Sequence, residues 1–302
     1  MYRYIIFLAV ILAACNGNNQ KKRQSKKDRP IGKVANPPFP FGKPGIDWSS
    51  FEKKNDSLKA QFCAKPVDGF IDAYRTFSPE NYSSIDSLPK HLHAVDINAD
   101  GLDDLIYEGP SGGEPTEIAL ILNTGKGLKV VFKAYQHIKK ITFSDGKISK
   151  IYVEDPGCCA EYLVFNKVYD IRFEGDMLRS KLKYLSAYFT STTFTDSYFG
   201  HAIKFQNLNN GYKLRFSPAV DDTTENGIDG EIHKGNAIAE ISAGAKGLAF
   251  AKSTDKTGRV WWLVQIEAKY KLDKSIFYDD PENKLIADKI GWISSRYVKK
   301  ID

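Results

Sequence analysis

One loop in this sequence has the composition of a metal-binding site. Between Asp96 and Asp104 the sequence reads DINADGLDD, which places oxygen-bearing side chains at relative positions 1, 3, 5 and 9. Gly101 at position 6 permits a sharp turn, and the carbonyl of Leu102 at position 7 is expected to point inward. Such spacing brings hard oxygen ligands to one point, as Ca²⁺ requires. The sequence therefore predicts a calcium site formed by Asp96, Asn98, Asp100, Asp104 and the Leu102 carbonyl.

The elements on either side of this loop are strand-like rather than helical. An EF-hand needs a Glu at position 12 and a helix after it, whereas position 12 here is Tyr107 in a Leu-Ile-Tyr run. The strand–loop–strand pattern resembles the FG-GAP/VCBS repeat family, whose blades carry DxNxDGxxDL loops. The resemblance covers about 20 residues (His91–Pro110) without a second clean copy, and implies a partial propeller-like or few-stranded domain. Alternatively, the loop is an Asp/Asn turn that satisfies its own amides.

A second group of candidate functional residues is aromatic and lies near the C-terminus. LRFSP at 214–218, a Gly-containing strand at 238–250, the run RVWWLV at 259–264 and the octet GWISSRYV at 291–298 predict four or five short strands, enough for a small barrel. Their order resembles the bacterial SH3-like (SH3b) family, which opens with LRxxP and closes with G-W-[IV]-x-x-x-Y-[LV]. The resemblance covers about 90 residues, although the connections at 221–235 and 267–289 are longer than typical.

The SH3-like resemblance implies binding of cell-wall peptides through an aromatic groove. Flat apolar rings with polar edges suit peptide or sugar ligands, and the candidates are Trp261, Trp262, Trp292 and Tyr297. At least two of these rings could instead fill the barrel core. Since Trp261 and Trp262 are adjacent, they must point to opposite faces of one strand. We expect one of that pair to be accessible to a ligand.

The N-terminus has the layout of an export signal. Residues 1–15, MYRYIIFLAVILAAC, combine Arg3 with an apolar run that is shorter than the roughly 20 residues of a spanning helix. The ending Leu12–Cys15 resembles the lipobox of bacterial lipoproteins, which implies cleavage after residue 14 and acylation of Cys15. Several acyl chains on one residue give stable anchoring. The alternative is a plain signal peptide. Asn16 and the basic residues after it favour an outer-membrane lipoprotein facing the periplasm over the inner membrane or cell surface.

Residues 15–45 are predicted to be a basic, proline-rich tether. Residues 21–29 hold six basic residues and one acid, and with Arg3 they account for the whole net charge of +6, so that residues 30–302 are neutral. A neutral folded part offers no surface that follows a phosphate backbone, which argues against nucleic-acid binding. The basic cluster would either contact anionic headgroups or serve as a solvated spacer.

Three further cysteines, Cys63, Cys158 and Cys159, are disulfide candidates because export places them in an oxidising compartment. Either Cys63 pairs with one of the adjacent couple, or Cys158 and Cys159 form a vicinal ring. We expect no catalytic activity, since the five histidines are scattered and no GxSxG, HExxH, P-loop or dinucleotide motif is present. A paired-carboxylate glycosidase would leave no local spacing to recognise.

The sequence thus predicts a mainly β protein. A signal peptide (1–14) and a tether (15–45) precede an antiparallel β domain with N-terminal short helices (46–195) and a small SH3-like barrel (200–302). The helices are expected over 46–63 and 67–77, and Ser144–Lys147 predicts a hairpin turn. The expected function is non-catalytic binding of peptidoglycan or an envelope protein through the barrel. The alternatives are an adaptor that uses the β domain as its contact surface, and a divergent cell-wall hydrolase.

Overall fold

Strands rather than helices make up most of the residues that the structure describes, as the short alternating apolar runs predict. The computed structural model describes residues 38–65, 85–111, 115–157, 161–228, 230–280 and 285–302. Helical structure among them is limited to one α-helix and short 3-10 turns. The mainly β fold class is confirmed.

The first sheet positions the Asp-rich loop. It is antiparallel and contains β1 (Leu92–Val95), β2 (Asp104–Pro110), β3 (Thr116–Asn123) and β4 (Leu128–Ala134) in that order. Successive side chains of a strand point to opposite faces. In β2, Leu105 and Tyr107 belong to a core shared with helix α1 (Asp56–Ala64), whereas Ile106 belongs to a core shared with the second sheet.

The second sheet continues through the rest of the chain and contains twelve strands. Nine of them follow the spatial order β18-β9-β14-β15-β17-β8-β7-β6-β5, with β10, β13 and β16 attached beside this path, and a separate hairpin is formed by β11 and β12. The bounds are β5 (His137–Ser144), β6 (Lys147–Asp155), β7 (Leu163–Glu174), β8 (Met177–Phe189), β9 (Tyr198–Asn207), β10 (Tyr212–Arg215), β11 (Glu225–Ile228), β12 (Glu231–Lys234), β13 (Ala237–Ile241), β14 (Lys246–Thr254), β15 (Val260–Ile266), β16 (Leu272–Asp273), β17 (Asp288–Ser294) and β18 (Val298–Lys300).

The predicted hairpin between β5 and β6 is present. Asp145 (φ 52°) and Gly146 (φ 78°) both adopt positive φ and connect paired residues Ser144 and Lys147. Two consecutive residues of this kind give the turn whose twist matches that of the flanking strands.

The helix predicted over 46–63 is shorter than expected. A 3-10 turn occupies Trp48–Ser50, and α1 begins only at Asp56. The reason is Asn55, whose side-chain oxygen accepts a hydrogen bond from Leu58 N at 3.1 Å and so caps the helix N-terminus. The second predicted helix, over 67–77, lies outside the described residues.

The last residues predicted as tether belong to the folded body. Phe39 and Phe41 are completely buried in a core with aromatic residues of the second sheet. Gly42 follows them with φ +62°, and a Cβ at this position would lie 2.6 Å from Phe194 Cβ. The boundary at residue 45 is therefore wrong: two buried phenylalanines place the start of the folded part at or before residue 39.

The C-terminal strands are continuous with the preceding strands, and the described residues contain no closed barrel. The prediction of a separate small barrel is wrong in this respect. The reason is that the edge of β17 opposite β15 pairs with two different strands. Asp288 and Lys289 pair in parallel with Ser186 and Ala187 of β8, while Trp292 pairs with Arg215 of β10. The described residues, which begin at Pro38, form one compact unit.

The long connection between β15 and β17 is fastened to the first half of this sheet. The Lys167 ammonium in β7 is fully buried and lies 3.0 Å from Asp155 Oδ2 and 3.0 Å from Asp280 Oδ2. A buried charge is tolerated only when it is paired. This ion triad fixes the predicted insertion of residues 267–289 against β6 and β7.

Candidate functional site

A cleft of about 560 Å³ opens between the loop after β10 and the hairpin that joins β14 to β15. Its volume lies within the range of small-ligand sites. One wall is apolar and the other carries polar and charged side chains. The nine lining residues are Pro218, Ala219, Val220, Ser253, Thr254, Asp255, Lys256, Thr257 and Arg259.

The apolar wall is held in place by two buried polar side chains. Asn236 donates to Ser217 Oγ at 2.6 Å and to the Ala219 carbonyl at 3.0 Å. Its Oδ1 accepts from Arg215 Nη1 at 2.5 Å, and the same guanidinium donates to the Asp221 carbonyl and pairs with Asp222. Arg215 is the arginine of the LRxxP motif, and its role here is to fix the loop that the motif opens.

The polar wall is a turn organised by one carboxylate. Asp255 Oδ1 accepts from Thr257 N, Thr257 Oγ1 and Arg259 N, and Asp255 Oδ2 accepts from Trp261 Nε1 at 2.9 Å. Hydrogen bonds from Thr257 and Trp261 hold the pKa of Asp255 well below its usual range. Both walls of the cleft are therefore fixed before any ligand arrives, which lowers the entropic cost of binding.

Arg259 stands at the base of this turn. Its guanidinium carbon lies 5.6 Å from the centre of the Trp261 ring, a cation–π distance. Arg259 Nε is buried and has no hydrogen-bond partner in the described structure. Neither Arg259 nor Asp255 was among the residues that the sequence pointed to. The spacing Asp-x-Thr at 255–257 is a recognisable turn signal, but it does not reveal the cleft.

The four aromatic residues predicted to line a groove do not form one, because three of them are buried. Trp261 and Trp262 do belong to two different cores, as their alternation predicts, but both faces of β15 are covered, and even Trp262 is only 9% exposed. Trp292 is buried as well and donates Nε1–H to the Thr193 carbonyl. The expectation that one of the tryptophan pair is accessible is wrong, because the enlarged sheet and its connections cover both sides. Tyr297 alone of the four is exposed, at 36%, with its ring 4.8 Å from that of Tyr212.

The predicted calcium loop connects β1 to β2 and is held by its own hydrogen bonds. Asp100 Oδ1 accepts from Leu102 N at 2.8 Å, and its Oδ2 accepts from Asn98 Nδ2 at 2.9 Å. Asp96 Oδ2 accepts from Gly101 N, whereas Asp96 Oδ1 is buried without a partner in the described structure. The structure thus brings the predicted side chains into one loop, arranged as an Asp/Asn turn.

Asp104, the first residue of β2, holds the end of this loop through its carboxylate. It is fully buried and accepts from Ile97 N at 2.9 Å and from Asn123 N at 2.7 Å, one on each oxygen. Burial raises the pKa of Asp104 to about 7, and the nearby Asp100 and Asp96 carboxylates act in the same direction. Among the residues described, no group of three or more Asp, Glu, His or Cys side chains is placed to hold a metal ion. The unpartnered Asp96 oxygen is the one feature of the loop that fits a cation.

The remaining predicted residues contribute little to a site. Cys63 is partly buried with a free thiol whose pKa is raised by burial, while Cys15, Cys158 and Cys159 lie outside the described residues. His93, which the sequence does not single out as a site residue, stacks on Trp48 with ring centres 3.7 Å apart, and its Nδ1 lies 3.0 Å from a Glu52 carboxylate oxygen. No helix in the described part of the chain combines the length and apolar character needed to cross a bilayer.

No protein-family model, curated protein or solved structure gives a significant match to this chain. The features of this chain that bear on its function are the cleft, the Asp-rich loop and the sequence of the N-terminus.

Proposed function

We propose that this protein is a non-catalytic cell-envelope lipoprotein that binds peptidoglycan or an envelope protein through its C-terminal region. The cleft between the loop after β10 and the β14–β15 hairpin carries this proposal, because both of its walls are fixed and it is large enough for a peptide or sugar segment. Arg215 of the LRxxP motif fixes one of these walls.

A binding role suits the cleft better than a catalytic one. Its carboxylate, Asp255, uses both oxygens to hold the turn, so that it is not free to accept a proton from a substrate. The hydroxyl side chains that line the cleft have no histidine beside them in the lining to act as a base.

The envelope location rests on the sequence around Cys15. We propose that Cys15 is lipidated and that the protein resides in the outer membrane facing the periplasm. Between Cys15 and the buried Phe39 lie 23 residues, the stretch that the sequence predicts to be a tether. Labelled palmitate should appear on the wild-type protein and not on C15S.

Retention on purified sacculi tests the binding proposal. We expect the full chain to be retained and V220D to be released, because Val220 lines the cleft and is 53% exposed. I232D is the matched control, since Ile232 is an exposed aliphatic residue (72%) that does not line the cleft. Equal retention of both variants would place wall binding elsewhere. If the wild type is not retained but captures an envelope protein in cross-linking, the adaptor alternative replaces wall binding.

We also propose that the Asp96–Asp104 loop binds Ca²⁺ weakly, in a structural role. The support is the buried Asp96 oxygen without a hydrogen-bond partner, in the same loop as the Asp100 and Asp104 carboxylates. Oxygen donors of this kind suit a hard cation, and extracellular modules bind Ca²⁺ with dissociation constants of roughly 10⁻⁴–10⁻³ M.

A further inference from the structure

The cationic groups of the cleft outnumber its anionic group. Lys256 and Arg259 are the cations and Asp255 is the one carboxylate among the lining residues. The Asp255 oxygens are already bonded to donors of its own turn, and its contact with Arg259 is to the backbone N–H rather than to the guanidinium. The cleft therefore retains a net positive charge that its own acid does not pair.

The Arg259 guanidinium is the least satisfied of these groups. In the described structure its side-chain contact is the face of Trp261, and its Nε is buried without an acceptor. An arginine offers donors in a planar fork that matches the two oxygens of a carboxylate. Because Arg259 lines the cleft although its Nε is buried, a bound carboxylate would accept from the terminal nitrogens of this fork.

The wall that faces this cation is small and apolar. Pro218, Ala219 and Val220 form it, and the hydrogen bonds of Asn236 to the segment 217–219 keep it in place. Such a wall leaves room for small aliphatic side chains, whereas a sugar ring would need flat aromatic or polar surface there. Of the two cations only Arg259 offers a planar fork, and a planar carboxylate matches that fork better than a tetrahedral phosphate does.

We propose that this cleft binds the free C-terminal carboxylate of a short peptide that ends in small apolar residues. Arg259 pairs with the carboxylate, and the Pro218–Val220 wall contacts the adjacent side chains. This inference rests on the proposed binding function and names the ligand class of the same cleft.

Titration with N-acetyl-Ala-Ala tests the inference on the full chain in detergent. We expect the peptide with a free carboxylate to bind at least tenfold more tightly than the same peptide with an amide cap. R259Q should weaken binding of the acid at least tenfold, and R259K should retain part of the affinity. R179Q is the matched control, because Arg179 is an exposed arginine paired with Glu174 in the β7–β8 hairpin, and it should bind as the wild type does.

Any one of three results would overturn the inference. These are equal affinity for the acid and the amide, no saturable binding of the acid at 10 mM, and unchanged binding by a folded R259Q. The circular dichroism spectrum and melting temperature of R259Q establish that it is folded, and R259K provides a second variant if R259Q is unstable.

The sacculus experiment separates this inference from the proposed function. If R259Q is retained as well as the wild type, wall binding stands and the carboxylate site fails. If the acid binds but sacculi do not retain the wild type, the site stands and wall binding fails.

Discussion

Asp104 and Asp255 each hold a turn by accepting hydrogen bonds on both carboxylate oxygens, yet their surroundings are opposite. Asp104 is fully buried beneath the loop between β1 and β2, beside two other acids, and its pKa is raised to about 7. Asp255 lies in the accessible hairpin that lines the cleft, and hydrogen bonding lowers its pKa. Burial dominates the first site and hydrogen bonding the second. An aspartate that holds a turn therefore stabilises the fold in one region. In the other region it keeps one wall of the cleft in a fixed conformation before a ligand binds.

Removing the buried member of this pair should have the largest effect. D104A leaves Ile97 N and Asn123 N without acceptors. At about 1–3 kcal/mol for each buried unsatisfied donor, we expect the free energy of unfolding to fall by about 4 kcal/mol at pH 5. Urea denaturation measures the change. A loss below about 1 kcal/mol would mean that water reaches these amides and that Asp104 is not the support of the loop.

The pH dependence of stability should also come from Asp104. Its pKa is about 7 in the folded protein against 3.8 in an unfolded chain, so the folded state binds the proton more tightly between these values. The free energy of unfolding therefore falls as pH rises, by about 2.6 kcal/mol between pH 5 and pH 8 through this group. In urea titrations without Ca²⁺, the decrease between pH 5 and pH 8 should be larger in the wild type than in D104A by about 2.6 kcal/mol. Glu117, Asp288 and His93, whose pKa values are also shifted, contribute equally to both proteins. Parallel slopes in both proteins would contradict the assignment.

Calcium should stabilise the loop by a smaller amount. With a dissociation constant near 10⁻³ M, 10 mM Ca²⁺ would add about 1.4 kcal/mol, which corresponds to a rise in melting temperature of about 3–4 °C. D96N should lose this rise, because it removes one charge and alters the carboxylate that holds the unpartnered oxygen. D273N, which changes an exposed Asp in β16, is the matched control and should keep the response. An equal rise with Mg²⁺ would indicate general ion screening rather than a site.

The sequence could predict the Asp-rich loop but not the cleft, and the difference has a physical reason. The ligands of a loop are neighbours in sequence, so the spacing from Asp96 to Asp104 already implies a turn. The cleft combines Pro218–Val220 with residues 253–259, which only the pairing of distant strands brings together. Strand alternation correctly separated Trp261 from Trp262, but it could not show that β8 and the connection at 267–289 enlarge the sheet and cover both faces. Local periodicity carries no information about which edge a distant strand will join.

Changing the exposed member of the pair should have the smallest effect on stability and a clear effect on the cleft. D255N keeps one acceptor oxygen but sets an NH₂ group against either Trp261 Nε1–H or the amides of Thr257 and Arg259. The asparagine can keep its oxygen on the buried Trp261 Nε1–H and leave the Thr257 and Arg259 amides of the accessible turn to water, so the melting temperature should fall much less than in D104A. The loosened turn should increase amide hydrogen exchange at 255–261 and weaken N-acetyl-Ala-Ala binding, since Arg259 is no longer held at the base of the turn. A loss of stability equal to that of D104A would show that exposure does not separate the two aspartates, and the comparison would then reduce to the number of hydrogen bonds each one accepts.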